Sequence, residues 1–381
     1  MDASRPQEQT GTALSHPETE RFAAAYRVLE EAIREHAFPG CAFGVFSGGE
    51  VVLADALGHF TYEGNAPEVH AETVFDIASL TKVVSTTAVA MVLYQSGALD
   101  LDTPVGELLP GFVVGRESTE RARKVTVRHL LAHASGLPGY VEFFRTVATP
   151  AALFRACLEL PIEAVPGERS EYSDPGFILL GKALEVLLHA DLAVSAQRMV
   201  FEPLQLVSTR FTPQARDRDQ IPPTEIDENL RYRRIQGEVQ DENAFVLGGA
   251  AGHAGLFSNV PDLLRFASEI LSSARNESRS SAQTLFTSDS VETFAMRQAP
   301  EGSSRALGWD TPSADSSAGH HFSAHSIGHL GYSGCSLWID LDARMAVALL
   351  TNRTWPDRQS QLIKRVRPAF HDAVRQALQS V

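Results

Sequence analysis

Lysine is scarce in this chain. Of 33 basic residues only Lys82, Lys124, Lys182 and Lys364 are lysine, and the rest are arginine. The lysines are scattered, and the arginine-dense stretch from Arg231 to Arg234 is short, while 47 acidic residues set the formal charge at −14. An acidic chain without a basic patch repels phosphate backbones and anionic lipid, so nucleic acid is not an expected partner. Cysteine is nearly absent: Cys41, Cys157 and Cys335 are odd in number, far apart and never in a C-x-x-C. That excludes a disulfide framework and a cysteine zinc site. No apolar run is long enough to cross a bilayer, and the stretch Val83–Tyr94 is broken by Ser85, Thr86 and Thr87. Residues 1–20 show neither a basic n-region nor an apolar h-region. The expectation is a cytoplasmic protein without a membrane span, although a periplasmic chain trimmed of its leader would read the same way.

What is present is an ordinary globular composition, 44% hydrophobic and 21% charged over 381 residues, which suits one large or two intimate domains. Residues 1–17, rich in Gln, Thr, Ser and Pro, read as a disordered leader. Helical spacing runs from Glu20 through Phe22, Tyr26, Leu29 and Ile33 and stops before Pro39-Gly40. Two apolar runs, Cys41–Ser47 and Val51–Ala56, flank Gly48-Gly49 and read as a β-hairpin. Thr81–Gln95 reads as a helix closed by Gly97. Helical patterns at Val127–His133, Pro150–Leu160 and Pro175–Leu188 fill the middle, and Val260–Leu271 is helical again. Ser-rich loops are expected over 272–290 and 301–327, followed by strands Ser336–Ile339 and Met345–Thr351 about an Asp340–Arg344 turn. Asp357–Leu378 reads as a closing amphipathic helix, kinked or broken at Pro368. This pattern gives an α/β domain assembled from 18–95 and 245–381, interrupted by a mainly helical domain over 96–244. The junction of two such domains is a natural cleft.

The sharpest chemical feature is Ser79-Leu80-Thr81-Lys82, an S-x-x-K at a helix start. Three residues of spacing put Ser79 and Lys82 on one helical face. A helix N-terminus favours a developing alkoxide or oxyanion, and a partly desolvated lysine can lower the cost of removing the serine proton. A tetrapeptide alone is short enough to arise by chance, and an N-cap serine beside a solvated lysine is the bland reading. Against it stands the rarity of lysine here, because lysine, unlike arginine, can give up its proton near neutral pH.

Three further segments follow in order: Val127-Arg-His-Leu-Leu-Ala-His-Ala-Ser-Gly-Leu-Pro138, Tyr172-Ser-Asp174 before Pro175-Gly-Phe-Ile-Leu-Leu-Gly181, and Gly328-His-Leu-Gly-Tyr-Ser-Gly334. Together with the S-x-x-K they resemble the serine hydrolases related to class C β-lactamases and low-molecular-weight penicillin-binding proteins. Asp241-Glu-Asn-Ala through Gly252-His-Ala-Gly-Leu-Phe257 resembles a subset of these described as β-lactamase-like, penicillin-binding-protein-like or esterase. The resemblance spans roughly residues 20–375 and implies an α+β fold of the β-lactamase/transpeptidase type, an antiparallel sheet flanked by helices plus a mainly helical domain. It implies Ser79 as the nucleophile of an acyl-enzyme, with Lys82 taking its proton directly or sharing it with Tyr172. The backbone N–H groups of Ser79 and Tyr332 would form the oxyanion hole. Asp174, His329, Leu330 and Gly331 would line the substrate, Gly331 allowing close approach of its backbone. No cofactor or metal is implied; the partner is a small-molecule or peptide substrate, and the oligomeric state stays open.

Two departures from the family pattern matter. His329-Leu330-Gly331 stands where Lys-Thr-Gly is usual, and a neutral or half-charged imidazole holds a carboxylate less firmly than lysine. Asp174 stands where Tyr-x-Asn ends, so a carboxylate would pair with Lys82 and hold it protonated, strengthening Tyr172 as the base. Both favour an esterase or peptidase on small esters, amides or D-amino-acid peptides. A β-lactamase with true turnover, an acyl trap without turnover and a catalytically silent binding scaffold remain the alternatives.

Other signals carry less. Gly176–Ala183 nearly spells a phosphate-binding loop but ends in Ala183 and fits a buried helical stripe. His129 and His133 have zinc-ligand spacing without the accompanying Glu, which favours packing and capping roles. His320, His321, His325 and His329 form a loose cluster, Asp241, Glu242 and His253 read as structural links at the cleft, and Cys335 reads as a small buried residue. No G-x-S-x-G elbow occurs, which argues against an α/β-hydrolase.

Overall fold

A computed structural model describes residues 20–114, 119–275 and 284–379, so the leader expected over 1–17 lies outside the described residues, as does part of the 272–290 loop. Helix α1 (Ala23–Arg34) leads into strands β1 (Gly40–Ser47) and β2 (Glu50–Gly58), the hairpin turning at Gly48-Gly49. Near the other end of the chain, β3 (Ser326–Leu330), β4 (Ser336–Asp340) and β5 (Met345–Thr351) complete an antiparallel sheet of order β2-β1-β5-β4-β3. β1 pairs with β5 from Cys41↔Thr351 to Ser47↔Met345, so the two chain ends meet at the sheet centre.

The sheet is buried on both faces, which is why β5 reads as an unbroken apolar run. Met345, Val347 and Leu349 point to a layer that includes Tyr26 and Leu29 of α1 and Phe370 and Val374 of α5 (Ile363–Gln379). Ala346, Ala348 and Leu350 alternate to the other face, where α4 (Val260–Ala274) brings Val260 and Leu264. There the packing is close enough that a Cβ on Gly44 of β1 would lie 2.6 Å from Val260 Cγ1.

Between the sheet-forming segments lie helices, among them Val127–Leu131, Pro150–Glu159 and α3 (Asp174–Leu188); α2 (Ala88–Gln95) precedes them. Phe177, Leu180, Ala183 and Leu184 of α3 are buried, so Gly176–Ala183 is a core stripe, and Gly181 packs on Gly252.

Two elements differ from the sequence reading. Thr81–Gln95 is not one regular helix: a 3-10 turn (Ala78–Leu80) and a π-helical stretch (Lys82–Thr87) precede α2. Buried side-chain bonds accompany the irregularity, since Thr81 Oγ1 donates to Ala78 O at 2.6 Å and Thr86 Oγ1 to Gly252 O at 2.7 Å. The closing helix begins at Ile363 rather than Asp357. Carbonyls that a helix would use are taken there by a side chain, because Arg353 Nη1 donates to Arg358 O and Ser360 O. Pro368 neither breaks nor ends α5, which runs through it.

Candidate active site

The turn that carries Ser79 is tied down on three sides by Asp76. Its Oδ1 accepts from Ala78 N at 2.8 Å, its Oδ2 from Gln240 N at 2.7 Å, and its backbone O from Ser333 Oγ at 2.8 Å. Ala78, just before Ser79, adopts a positive φ of 48°, a strained conformation for a residue with a Cβ. Burial raises the Asp76 pKa to about 6. Ser79 caps no helix, so the bland N-cap reading does not hold.

Lys82 is completely buried. Its Nζ donates to Ser79 Oγ at 2.9 Å and His253 O at 3.1 Å, and pairs with Asp174 Oδ1 at 2.7 Å. Burial disfavours the charge, but Asp174 and Tyr172 outweigh it, so the Lys82 pKa lies above the ordinary lysine value. The π-helical stretch and the close Gly181–Gly252 packing are what bring the His253 carbonyl onto Nζ.

Tyr172 and Asp174 bracket Ser173, the N-cap of α3, whose Oγ accepts from Gly176 N at 3.1 Å. That cap holds both side chains toward Lys82, whose Nζ sits 4.8 Å from the Tyr172 ring centre. The Tyr172 hydroxyl hydrogen-bonds to Lys82 and Ser79; burial raises its pKa by more than the Lys82 charge lowers it. At rest the trio is therefore an ammonium, a carboxylate and a neutral phenol.

Two histidines flank the phenol, with ring centres 4.6 Å (His133) and 5.8 Å (His329) away. His133 Nδ1 accepts from Ser173 N at 3.0 Å. His329 is 3% exposed, and its Nδ1 donates to Leu330 O at 2.8 Å, which leaves Nε2 as a bare acceptor. Burial, then the charges of Lys82 and Arg305, press its pKa well below the ordinary value. Of the neutral or half-charged imidazole expected from sequence, the buried ring is the neutral one.

A Cβ at Gly331 would lie 2.5 Å from Ile77 O, so glycine permits a close approach to the chain leading to Ser79, and Gly331 also lines the cavity that Ser79 faces. Gly331 and Tyr332 lie just past β3, an edge strand, and Tyr332 is half exposed. Among the described residues neither the Ser79 N–H nor the Tyr332 N–H donates to a protein acceptor.

These groups face one cavity of about 700 Å³, lined by Ser79, Tyr172, Asp174, Arg305, His329 and Tyr332 among others. Arg305 was missed by the sequence reading because it sits in a loop without a motif. Its guanidinium lies 5.2 Å from the Tyr172 ring centre and 3.7 Å from Asp310, a loose pairing. Asp241 also faces the cavity, held by His253 Nε2 at 2.9 Å and capping Ala244 N at 2.7 Å. The other histidines disperse: His320 pairs with Asp372, His325 with Asp342, and His321 meets Gln376. His129 closes a capping box with Thr126, and Cys335 is buried.

Comparison with known proteins places the chain in a family. The family model described as Beta-lactamase matches residues 25–368. A Bacillus subtilis (strain 168) protein named N-acetylmuramyl-L-alanine amidase is 31% identical over 359 residues, covering 83% of this chain and 77% of the relative. Among solved structures, EstCE1, a hydrolase with promiscuous acyltransferase activity, superposes with a TM-score of 0.76 at 21% identity, covering 95% of this chain and all of that one. The octameric penicillin-binding protein homologue from Pyrococcus abyssi gives 0.70 at 22% identity over 94% and 77% of the two chains. At those identities the two structures speak for the fold, which is that of the β-lactamases and transpeptidases. The family match and the amidase speak for descent: this chain belongs to the Beta-lactamase family and is a hydrolase of the serine type.

Proposed function

We propose that Ser79 is the nucleophile of an acyl-enzyme hydrolase whose substrates are small amides or esters bearing a carboxylate, as amino-acid and short peptide derivatives do. The observation that carries this is the 2.9 Å contact between Ser79 Oγ and a fully buried Lys82 Nζ. With Lys82 charged and Tyr172 neutral, no standing base touches Ser79. Asp174, 2.7 Å from Nζ, supplies the route: Lys82 passes a proton to Asp174, and the neutral amine accepts the Ser79 proton as Oγ attacks the carbonyl carbon. The oxyanion is received by the N–H groups of Ser79 and Tyr332. On collapse Tyr172, poised between Ser79 and Lys82, hands a proton to the leaving group and is reprotonated from Lys82. Water repeats the sequence to release the acid.

Arg305 supports the choice of substrate class. His329 is neutral and cannot hold a carboxylate by charge, whereas Arg305 faces the same cavity with a loose partner. The similarity to an amidase fits amide cleavage. In this reading the site lies at the seam between an α/β unit, 18–95 with 245–381, and a helical unit, 96–244.

Burst kinetics with p-nitrophenyl acetate test the nucleophile. Steady turnover is expected; a stoichiometric burst alone means an acyl trap, and no burst sinks acylation altogether. Ser79→Ala should abolish the burst, and Tyr172→Phe should slow it by about 100-fold or more, the scale of general acid–base catalysis. A panel of short esters, nitrocefin and D-Ala-D-Ala peptides, with and without the free carboxylate, tests the class. Arg305→Met should erase any preference for the carboxylate.

A further inference from the structure

The peptide unit joining Gly331 to Tyr332 carries the Gly331 carbonyl at one end and the Tyr332 N–H at the other. A trans peptide is planar, so fixing the carbonyl aims the N–H in the opposite direction. Arg367, projecting from α5 and 6% exposed, donates from Nη2 to Gly331 O at 2.6 Å. The same guanidinium reaches Cys335 O at 2.8 Å and Gly334 O at 3.1 Å. One peptide further on, Arg353 Nε donates to Tyr332 O at 2.8 Å, and Ser333 O accepts from Arg353 N at 2.9 Å and Thr351 Oγ1 at 3.1 Å. Every carbonyl from Gly331 to Cys335 is thus bound by the protein, while the Tyr332 N–H has no protein acceptor among the described residues.

We propose that Arg367 is a positioning residue for hydrolysis: bound to the carbonyl end of the Gly331–Tyr332 peptide, it aims the Tyr332 N–H at the substrate oxyanion and strengthens it as a donor. The proposal rests on Ser79 as nucleophile and Tyr332 as oxyanion donor. Two physical effects support it. Orientation is the first, since three carbonyls of one five-residue turn converge on one planar guanidinium, a match that a lysine ammonium does not reproduce. Polarisation is the second. A cation on an amide oxygen draws density from the nitrogen, and in a buried site that makes the N–H a better donor to a developing negative charge. Burial lowers the Arg367 pKa to about 10, so the charge persists at neutral pH. Arg353 acts in parallel on the next peptide, and the Tyr332 ring lies 4.4 Å from its guanidinium carbon.

A purely architectural role for Arg367, tying α5 to the sheet edge, predicts a different outcome. The test compares an ester with its thionoester, in which sulfur replaces the scissile carbonyl oxygen. An oxyanion hole fitted to oxygen penalises sulfur, and a disordered hole penalises it less. Arg367→Met and Arg367→Lys should lower kcat by about 10- to 100-fold, below the loss for deleting an oxyanion donor outright, with KM within about 3-fold. The oxygen-to-sulfur ratio of kcat/KM should shrink by about 10-fold. Thermal melts establish which variants are folded. Arg353→Met, which leaves the α5 anchor intact, is the second variant and should reduce the same ratio to a smaller degree. A folded Arg367 variant with kcat near wild type overturns the proposal, as does a lower kcat with an unchanged oxygen-to-sulfur ratio. Should neither Arg367 variant fold, an unchanged ratio in Arg353→Met overturns it. Ser79→Ala is run alongside: hydrolysis surviving there defeats the nucleophile assignment instead, so the two failures are distinguishable.

Discussion

Two charge clusters border the same cavity, and they are built from the same kinds of group to opposite ends. In one, Lys82 faces Asp174, Ser79 and Tyr172. In the other, Arg358 bridges Glu225, with Nε at 2.8 Å from Oε2, and Glu242, with Nη2 at 3.0 Å from Oε1. Glu225, Asp227 and Glu242 gather closely enough to suit a metal ion, yet Arg358 and Arg231 already supply the positive charge. The difference lies in the cation. Burial opposes the charge of Arg358, but Glu225 and Glu242 raise its pKa above the ordinary arginine value, so Arg358 keeps its proton and the second cluster can only hold the Glu225 strand (Pro223–Asp227), the Glu242 helix (Glu242–Val246) and the segment before α5 together. A buried lysine can surrender one, and its neighbour is a hydroxyl. On the proposed function, one cluster serves chemistry and the other architecture.

That contrast can be broken by exchanging what each loses on mutation. The largest effect on rate is expected for Lys82→Met, a fall in kcat on the order of 10³-fold, measured with p-nitrophenyl acetate. Arg358→Met should instead act on stability. Removing one partner from a buried charge cluster costs about 3–5 kcal/mol, read from urea denaturation. Its pH dependence has a definite sign. Burial already holds the Glu242 pKa above the ordinary value, and removing Arg358 pushes it further up. A raised carboxyl pKa means stability present at low pH and lost as pH rises, so this variant should be relatively more stable at pH 5 than at pH 8. If Arg358→Met matched Lys82→Met in lost activity without losing stability, the division between the clusters would collapse.

Asp174→Asn sharpens the comparison further. Without Asp174 to take its proton, Lys82 must lose it to solvent before Ser79 can be activated, so kcat/KM should fall at neutral pH and gain an acid limb set by a Lys82 pKa lower than in the wild type. A profile without that new limb would mean that Asp174 is not the acceptor of the Lys82 proton. The smallest effect concerns Asp76. Its pKa rises from 3.8 unfolded to about 6 folded, so its contribution to stability is present below pH 4 and lost as pH climbs through 6. Asp76→Asn should flatten the change in urea midpoint across that window.

Much of this was legible in the chain. Gly48-Gly49 between two apolar runs specified the β1–β2 hairpin, and the apolar run Met345–Thr351 marked a strand, whose burial on both faces only the structure shows. Ser79 with Lys82 was recognisable because their spacing puts both on one helical face, whereas Tyr172 and Asp174 entered only through the family resemblance. The regular helix expected at Thr81 failed because Thr81 and Thr86 trade backbone regularity for buried bonds to Ala78 and Gly252. Asp357–Leu362 failed as helix because Arg353, before it in the chain, takes its carbonyls. Arg305, Arg353 and Arg367 were invisible as functional candidates, being three arginines in a chain where arginine is common.

With the α+β class supplied by the family resemblance, the sequence by itself determined the β1–β2 hairpin, strands β4 and β5, most of the helices and the scarcity of lysine that singled out Lys82. Those follow from periodicity, turn chemistry and composition, all local properties. The tertiary structure alone decided that Lys82 is fully buried yet charged, that His329 is neutral, and that Gly331 sits close against the Ile77 carbonyl. It alone placed Arg367 on the carbonyl of the peptide whose N–H faces outward. Each of these depends on desolvation and on partners distant in the chain, and neither burial nor a long-range hydrogen bond is written in local spacing.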